Sequence, residues 1–294
     1  MNKIIKKAFT LIELLVVIAI IGILSGMIVI SMGGVTEKAN IAKSQVFSNS
    51  LRNSLMANIV GEWKFDELTT AINETTIKDS WSTITGTLVT DNTTTEKLSS
   101  DCVSGKCLDF DGVGDYISCG TDASVTTNLN AWTVSAWVKP DNIPTNILIA
   151  FSSASTPAIR IMNTTGPLIY MGGSNFRYFA ASSWTTLTDG NWHHVAFSIP
   201  GSGQNDITSS KMYVDGVKIG NSSTTAAGTQ AAKTLLVISD PYQGLMDDLR
   251  IFNAELPTSQ IKEQYYAGLN KLLANGVINK EEYTEKTLSL SLGN

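Results

Sequence analysis

Three textures of apolar and polar residues follow one another along the chain. From Phe9 to Met32 the residues are apolar or small almost without a break, and Glu13 is the single charge among them. At about 1.5 Å per residue this stretch makes a helix of roughly 36 Å, longer than a hydrocarbon core of roughly 30 Å. Such a helix satisfies its own backbone in lipid. Lys3, Lys6 and Lys7 precede it, so the N-terminus is the end expected to stay cytoplasmic, with everything past Gly34 outside. After Gly33-Gly34 the pattern changes to a helical period. Val35, Ala39, Ala42, Val46, Leu51, Leu55 and Ile59 recur mostly every four residues, and no proline interrupts them. The simplest reading is one helix over 9–60, its transmembrane part at 9–32. A separate docking helix behind the two glycines is the alternative.

From Gly61 short alternating runs lie between turn residues, as in an all-β sandwich. In GEWKFDE (61–67), Trp63 and Phe65 share one face. KCLDFDGVGDYISCG (106–120) reads as a hairpin turning at Gly112 and Gly114. WTVSAWVKP (132–140) is a strand ended by Pro140. KMYVDGVKIG (211–220) carries Asp215-Gly216, a strong two-residue hairpin signal. Beyond Pro257 a helical stripe returns in Ile261, Tyr265, Leu269 and Leu272, with Gly276 as its stop. The remainder is expected to form a short helical turn and a loose end. The fold class is therefore mainly β: a long N-terminal helix, an antiparallel two-sheet sandwich and a C-terminal helical segment at 258–294.

Composition adds a compartment. Charged residues are only 16 % of the 294, and the formal net charge is −5. No Lys/Arg cluster follows the first residues, so nucleic acid is not an expected partner. Cys102, Cys107 and Cys119 lie close together in the predicted exterior, where a disulfide persists. A Cys102–Cys107 bridge closes a small loop around Ser104-Gly105, and a Cys107–Cys119 bridge joins the two arms of the hairpin. Spacing does not choose between them; we favour Cys102–Cys107.

Glu13 needs an explanation, because a carboxylate within an apolar span costs about 2.5–3.5 kcal/mol on insertion scales. Lys7 is six residues away, a poor helical spacing for a partner on the same chain, so a cation from another chain fits better. KKAFTLIELL (6–15) resembles the class III signal of type IV pilins and pseudopilins. The resemblance implies that a membrane prepilin peptidase removes residues 1–8, cutting between Ala8 and Phe9, and methylates the new terminus. It also implies that Glu13, fifth after the cut, neutralises the terminal amine of a neighbouring pilin subunit. Ala8 stands where the family usually has Gly, and is small enough to allow cleavage. The implied course runs from the inner membrane to an extracellular pilus or the cell surface.

Residues 61–257 resemble the laminin-G-like, concanavalin A-like lectin family. GEWKFDE, DFDGVGDYI, WTVSAWVKP, GNWHHVAFSI, KMYVDGVKIG and GLMDDLRIFNAEL occur in the family's order. The resemblance implies a jelly roll, carbohydrate or protein partners, and often a structural calcium. Calcium takes six to eight oxygens, and Asp66, Glu67, Asp79 and Asp247 are the candidate acids. Their alternative role is to cap turns and pair with Arg250 or Lys64. Tyr170, Phe176, Tyr178 and Trp184 lie in or beside loops and are candidates for stacking on sugars.

No active-site pattern appears. His193 and His194 are adjacent in a strand and point to opposite faces. Asp109 and Asp111 alternate as a glycosidase pair does, but beside an exposed glycine turn. The expectation is a non-enzymatic filament subunit with a lectin-like adhesion head; a monomeric anchored carbohydrate-binding module is the alternative.

Overall fold

A computed structural model describes residues 11–22, 57–66, 76–89, 95–98, 101–122, 131–141, 145–151, 158–162, 166–172, 174–180, 186–201, 207–227, 235–239 and 241–292. The chain forms two compact units, Met1–Asn53 and Ser54–Asn294. In the first, residues 11–22 form a helix, α1, apolar on every side and exposed throughout, with Leu11 at 80 % and Ile12 at 74 %. Among the described residues no helix is long and apolar enough to cross a membrane. The rest of the 9–32 span lies outside the described residues, as does the amphipathic run up to residue 56.

The second unit is the β-sandwich. Its strands in chain order begin β1 (Ile59–Trp63), β2 (Thr76–Lys78), β3 (Thr85–Val89), β4 (Thr95–Leu98), β5 (Lys106–Asp111) and β6 (Tyr116–Ser118). Then come β7 (Trp132–Pro140), β8 (Thr145–Ala150), β9 (Ala158–Met162), β10 (Leu168–Gly172), β11 (Ser174–Phe179) and β12 (His193–Ile199). The last are β13 (Lys211–Val214), β14 (Val217–Ile219), β15 (Asn221–Ala227), β16 (Val237–Ile238) and β17 (Gln243–Phe252). Among the described residues sheet A has eight strands, ordered β14-β13-β12-β7-β17-β5-β4, with β1 also on β17, and sheet B has nine, ordered β15-β11-β10-β9-β8-β16-β6-β3-β2. The pairings are antiparallel. The main core lies between the sheets, where Trp132 meets Phe151 edge-on at 5.1 Å and Phe179 meets Phe197 at 5.9 Å.

The boundary between helical and strand texture moves. Ile59 and Val60, which the helical period assigned to the first segment, open β1, with Ile59 opposite Phe252. Their β-branched side chains suit the pleated ladder they join. The 106–120 segment is not a hairpin either. β5 pairs with β4 and β17 in sheet A, whereas β6 pairs with β3 and β16 in sheet B. Gly112 and Gly114, at φ 84° and 75°, turn the chain from one wall of the core to the other. Leu108 and Phe110 therefore enter the core from one side and Ile117 from the opposite one. The Asp215-Gly216 turn does join β13 to β14, with φ of 52° and 75° as a type I′ turn requires.

Strand β17 has an unusual edge. β7 runs along one side of it, and on the other β5 pairs with Gln243–Met246 and β1 with Leu249–Phe252. The change of partner falls at Asp247-Asp248. There the register against β7 slips and Asp248 adopts φ 48°, a bulge.

The outer face of sheet A is covered by two helices, α2 (Thr258–Ala274) and α3 (Lys280–Leu292). Tyr265 stacks on Trp137 with centroids 5.7 Å apart and planes 20° from parallel. Leu269, Leu272 and Leu290 close the same cluster around Trp137. α3 is a full helix where only a turn was expected. Asn279 Oδ1 accepts from the N–H groups of Glu281 and Glu282, and Glu282 accepts from the N–H of Asn279, a reciprocal cap. Tyr283 also donates to Asn270 of α2 at 2.9 Å.

Gly268 sets how closely α2 sits on the sheet, because a Cβ there would lie 2.2 Å from Trp137 Cε2. Gly268→Ala is expected to lower stability by about 1–3 kcal/mol through overpacking, read as a fall in Tm. An unchanged Tm would mean that α2 does not rest on Trp137.

Candidate functional site

The strongest convergence of charged groups lies where β17 changes partner. Cys102 and Cys107 are joined by a disulfide, and the loop they close leads directly into β5. Two of the predicted calcium acids hold this loop. Asp66 accepts from the N–H of Lys106 at 3.1 Å, and Asp247 from that of Ser104 at 2.9 Å. Phe65, at φ 59°, turns the chain that delivers Asp66, and Gly105 is needed because a Cβ there would lie 2.0 Å from Asp66 Oδ1. From the other side Asn275, which caps the C-terminus of α2, donates to Val103 O at 3.0 Å. Asp247 and Asp248 are both buried. Burial and the charge of Asp248 push the Asp247 carboxyl well above the ordinary range. Burial opposes ionisation of Asp248 as well, but Arg250 and Lys271 outweigh it and hold that carboxyl low. Lys271 lies 2.7 Å from Asp248, and Arg250 also pairs with Glu62 at 2.8 Å.

Asp79 does a different job. It accepts from the N–H groups of Glu62 at 2.9 Å and Trp81 at 2.7 Å, and from the hydroxyl of Ser82, so it caps a turn. Glu67 lies outside the described residues. Among the described residues no three His, Cys, Asp or Glu side chains are arranged to hold a metal ion. The structure thus brings Asp66 and Asp247 to one loop and leaves Asp79 apart. Cys119 keeps its thiol, buried under sheet B.

The two histidines are both buried, in different surroundings. His193 places Nδ1 2.7 Å from Asp215 and Nε2 3.0 Å from Asp189. With both ring nitrogens held by carboxylates, neither is available to activate a nucleophile. Burial works against its charge, but Asp215 and Asp189 outweigh burial and raise its pKa above 6.5. His194 lies on the outer face of the sheet between Trp137 and Tyr265, 5.6 Å and 6.4 Å from their centroids. Burial pushes its pKa down to about 4. Neighbours in sequence are therefore tuned in opposite directions by the two faces of one strand.

A third region is the outward face of sheet B, turned away from the core. Cross-strand register places Arg160, Leu168 and Tyr178 in one row and Ala158, Tyr170 and Phe176 in the next. The Arg160 guanidinium lies over the Tyr170 ring, 5.5 Å from its centroid, and Phe176 meets Tyr178 edge-on at 5.1 Å. Tyr170, Phe176 and Tyr178 are half-buried strand residues here, and Trp184 lies outside the described residues. Of the assembly residues, Glu13 is on α1, while Ala8 and Phe9 lie outside the described residues.

Residues 111–262 match the model of the concanavalin A-like lectin/glucanases superfamily, and the chain belongs to it. Residues 5–29 match the model of the prokaryotic N-terminal methylation motif. No curated protein matches the chain. Among solved structures, domain 4 of AbnA, a GH43 extracellular arabinanase from Geobacillus stearothermophilus in complex with arabinotriose, is 22 % identical. The match covers 70 % of this chain and 97 % of that one, with a TM-score of 0.50. The binding domain of Paraclostridial Mosquitocidal Protein 1 is 12 % identical, with 74 % and 53 % covered and a TM-score of 0.51. A structure described under the dependence of botulinum neurotoxin type C cell entry on two ganglioside molecules is 11 % identical, with 74 % and 52 % covered and a TM-score of 0.52. At these identities the likeness is one of fold.

Because the folded state favours protonated His193, its contribution to stability is complete below the unfolded pKa near 6.5 and is lost as pH rises through the higher folded value. The Tm difference between wild type and His193→Gln is expected to be largest near pH 5.5 and to shrink above neutrality. A difference constant across that range would show that the two carboxylates do not hold a charged ring.

Proposed function

We propose that this protein is a structural subunit of a type IV pilus-like or pseudopilus filament that displays a lectin-like head for adhesion to glycans. The observation that carries the reading is the union, in one chain, of a methylation motif at 5–29 with a concanavalin A-like domain. The division of labour follows from the residues. Prepilin peptidase cuts between Ala8 and Phe9, which places a charged amine at the head of an apolar helix. In lipid that amine and Glu13 are both costly; between neighbouring subunits they neutralise each other. α1 exposes apolar side chains on all sides, so leaving lipid requires burial against other copies. The head contributes binding rather than catalysis: His193 is committed to two carboxylates, and Asp79 to a turn.

Two features support glycans as the ligand class. One is the aromatic row on sheet B; the other is the occurrence of this fold in an arabinanase domain solved with arabinotriose. Calcium is part of the proposal. Asp66 and Asp247, which hold one loop, would be among its ligands, and the ion would neutralise a carboxylate that burial disfavours. Chelation with EGTA is expected to lower the Tm of wild type and to leave Asp247→Asn unaffected. Identical wild-type curves with and without chelator would remove calcium from the proposal.

Mass spectrometry of assembled material should find a mature chain beginning at Phe9 and methylated there. Glu13→Ala should abolish sheared filaments while the Tm of the head stays unchanged. An intact Met1 terminus in filaments, or extraction by detergent alone with no filaments, would point instead to a monomeric anchored binding module.

A further inference from the structure

One buried side chain ties together two turns of the sandwich. His193 opens β12 and is 2 % exposed. Its Nδ1 lies 2.7 Å from Asp215 Oδ2, in the turn between β13 and β14, and its Nε2 lies 3.0 Å from Asp189 Oδ1, in the loop that leads into β12. Its cross-strand neighbour on β7 is Val138, so among the described residues the charged groups facing the ring are these two carboxylates. An ionised carboxylate only accepts hydrogen bonds. An imidazolium donates from both nitrogens, whereas a neutral imidazole carries one N–H. Both contacts are therefore hydrogen bonds only while the ring is charged. Once it loses a proton, one nitrogen turns a lone pair toward a carboxylate oxygen, and that contact becomes repulsive.

The two arms are held unequally. Asp215 has a second tie, because its Oδ1 accepts from the N–H of His194 at 3.0 Å. Its turn is also wedged against both C-terminal helices: a Cβ on Gly216 would lie 3.0 Å from Leu290 Cδ1 and 3.4 Å from Lys262 Cα. Asp189 is the looser arm, with its side chain 42 % exposed against 21 % for Asp215. Its other bond, from the N–H of Asn191 at 2.8 Å, stays within the loop. That loop is anchored on either side of Asp189. Leu187 lies in the main core, and Trp192 is buried and donates from Nε1 to Asp101 O at 2.5 Å.

We infer that His193 is a proton-operated latch: charged, it fastens the loop tip at 188–191 to the β13–β14 turn; neutral, it keeps its Nδ1–H on Asp215 and releases Asp189. The inference goes beyond the filament reading and does not depend on it. Burial lowers the pKa of the ring, but the two carboxylates outweigh burial and raise it above 6.5. The latch is thus shut in mildly acidic surroundings and opens as the pH rises past the raised value. Because Leu187 and Trp192 stay in place, opening is confined to the tip and leaves the sheets intact.

The test uses the full chain in detergent micelles, with nitrogen-15 in its histidines. There are two, and His194, whose pKa burial pushes down to about 4, stays neutral between about pH 5.5 and about pH 9. The ring that titrates is then His193. Its nitrogen shifts should report both nitrogens protonated at the acidic end and Nδ1 alone protonated at the alkaline end. Amide hydrogen exchange, corrected for its intrinsic pH dependence, should become about tenfold or more faster at 188–191 above the transition, with β12 and β13 unchanged. Asp189→Ala should exchange at the fast rate at both ends and keep the Nδ1–H form, and His193→Gln should also be fast at both. Should His193→Gln fail to fold, Asp189→Ala carries the comparison, since that side chain is partly in solvent. A neutral ring protonated at Nε2 overturns the inference, because Asp215 would then be the arm released. So does a ring that does not titrate over this range, or corrected exchange at 188–191 that is the same at both ends.

Discussion

One end of the sandwich depends on a strand with two partners on the same edge. β17 is flanked by β5 over its first half and β1 over its second, and between those pairings its backbone bulges. Such a junction leaves backbone N–H groups without a ladder, and buried donors must find acceptors. The chain meets the requirement with a carboxylate: Asp247 Oδ1 accepts from the N–H of Asp248 within the bulge, and its other oxygen from the N–H of Ser104 in the disulfide loop. Carboxylates there need their own compensation, which Arg250 and Lys271 provide through Asp248. The disulfide loop, the bulge and the docking of α2 through Lys271 and Asn275 thus belong to a single arrangement.

The same junction shows what the acidic residues expected to bind a metal do within the chain: Asp66 and Asp247 hold the amides of one loop, and Asp79 caps a turn. Their types were legible in the sequence, and so was their grouping in the GEWKFDE and GLMDDLRIF strands. Their targets were not. Whether an aspartate faces an ion or an amide depends on a loop from elsewhere in the chain, here residues 102–107. Asp79 shows the point in its simplest form: two of its partners, Trp81 and Ser82, are local, and its role as a turn cap was available from sequence alone.

Local patterns proved good guides to elements and weaker guides to partners. Alternation found β7, β12 and the Asp215-Gly216 hairpin, because those signals depend on neighbours in sequence. The DFDGVGDYI stretch misled, since two glycines permit a chain either to fold back or to cross to the other sheet, and only the distant partners β17 and β16 decide. The C-terminal helix α3 was undervalued, although Asn279 and Glu282 spell a capping box. Gly268 carried a signal as well: a glycine inside a helical stripe marks a close approach, which here is Trp137. The pairing of His193 with Asp189 and Asp215 had none, because Asp215 arrives from a different hairpin.

Strand β1 joins the segment before residue 59 to the sandwich, and it does so by lying antiparallel along β17. A pull directed along its axis would load the hydrogen bonds of that pair together, in shear, rather than peel them one after another. β17 in turn is braced along its far side by β7. The β1–β17 ladder would therefore resist such a pull through its hydrogen bonds together.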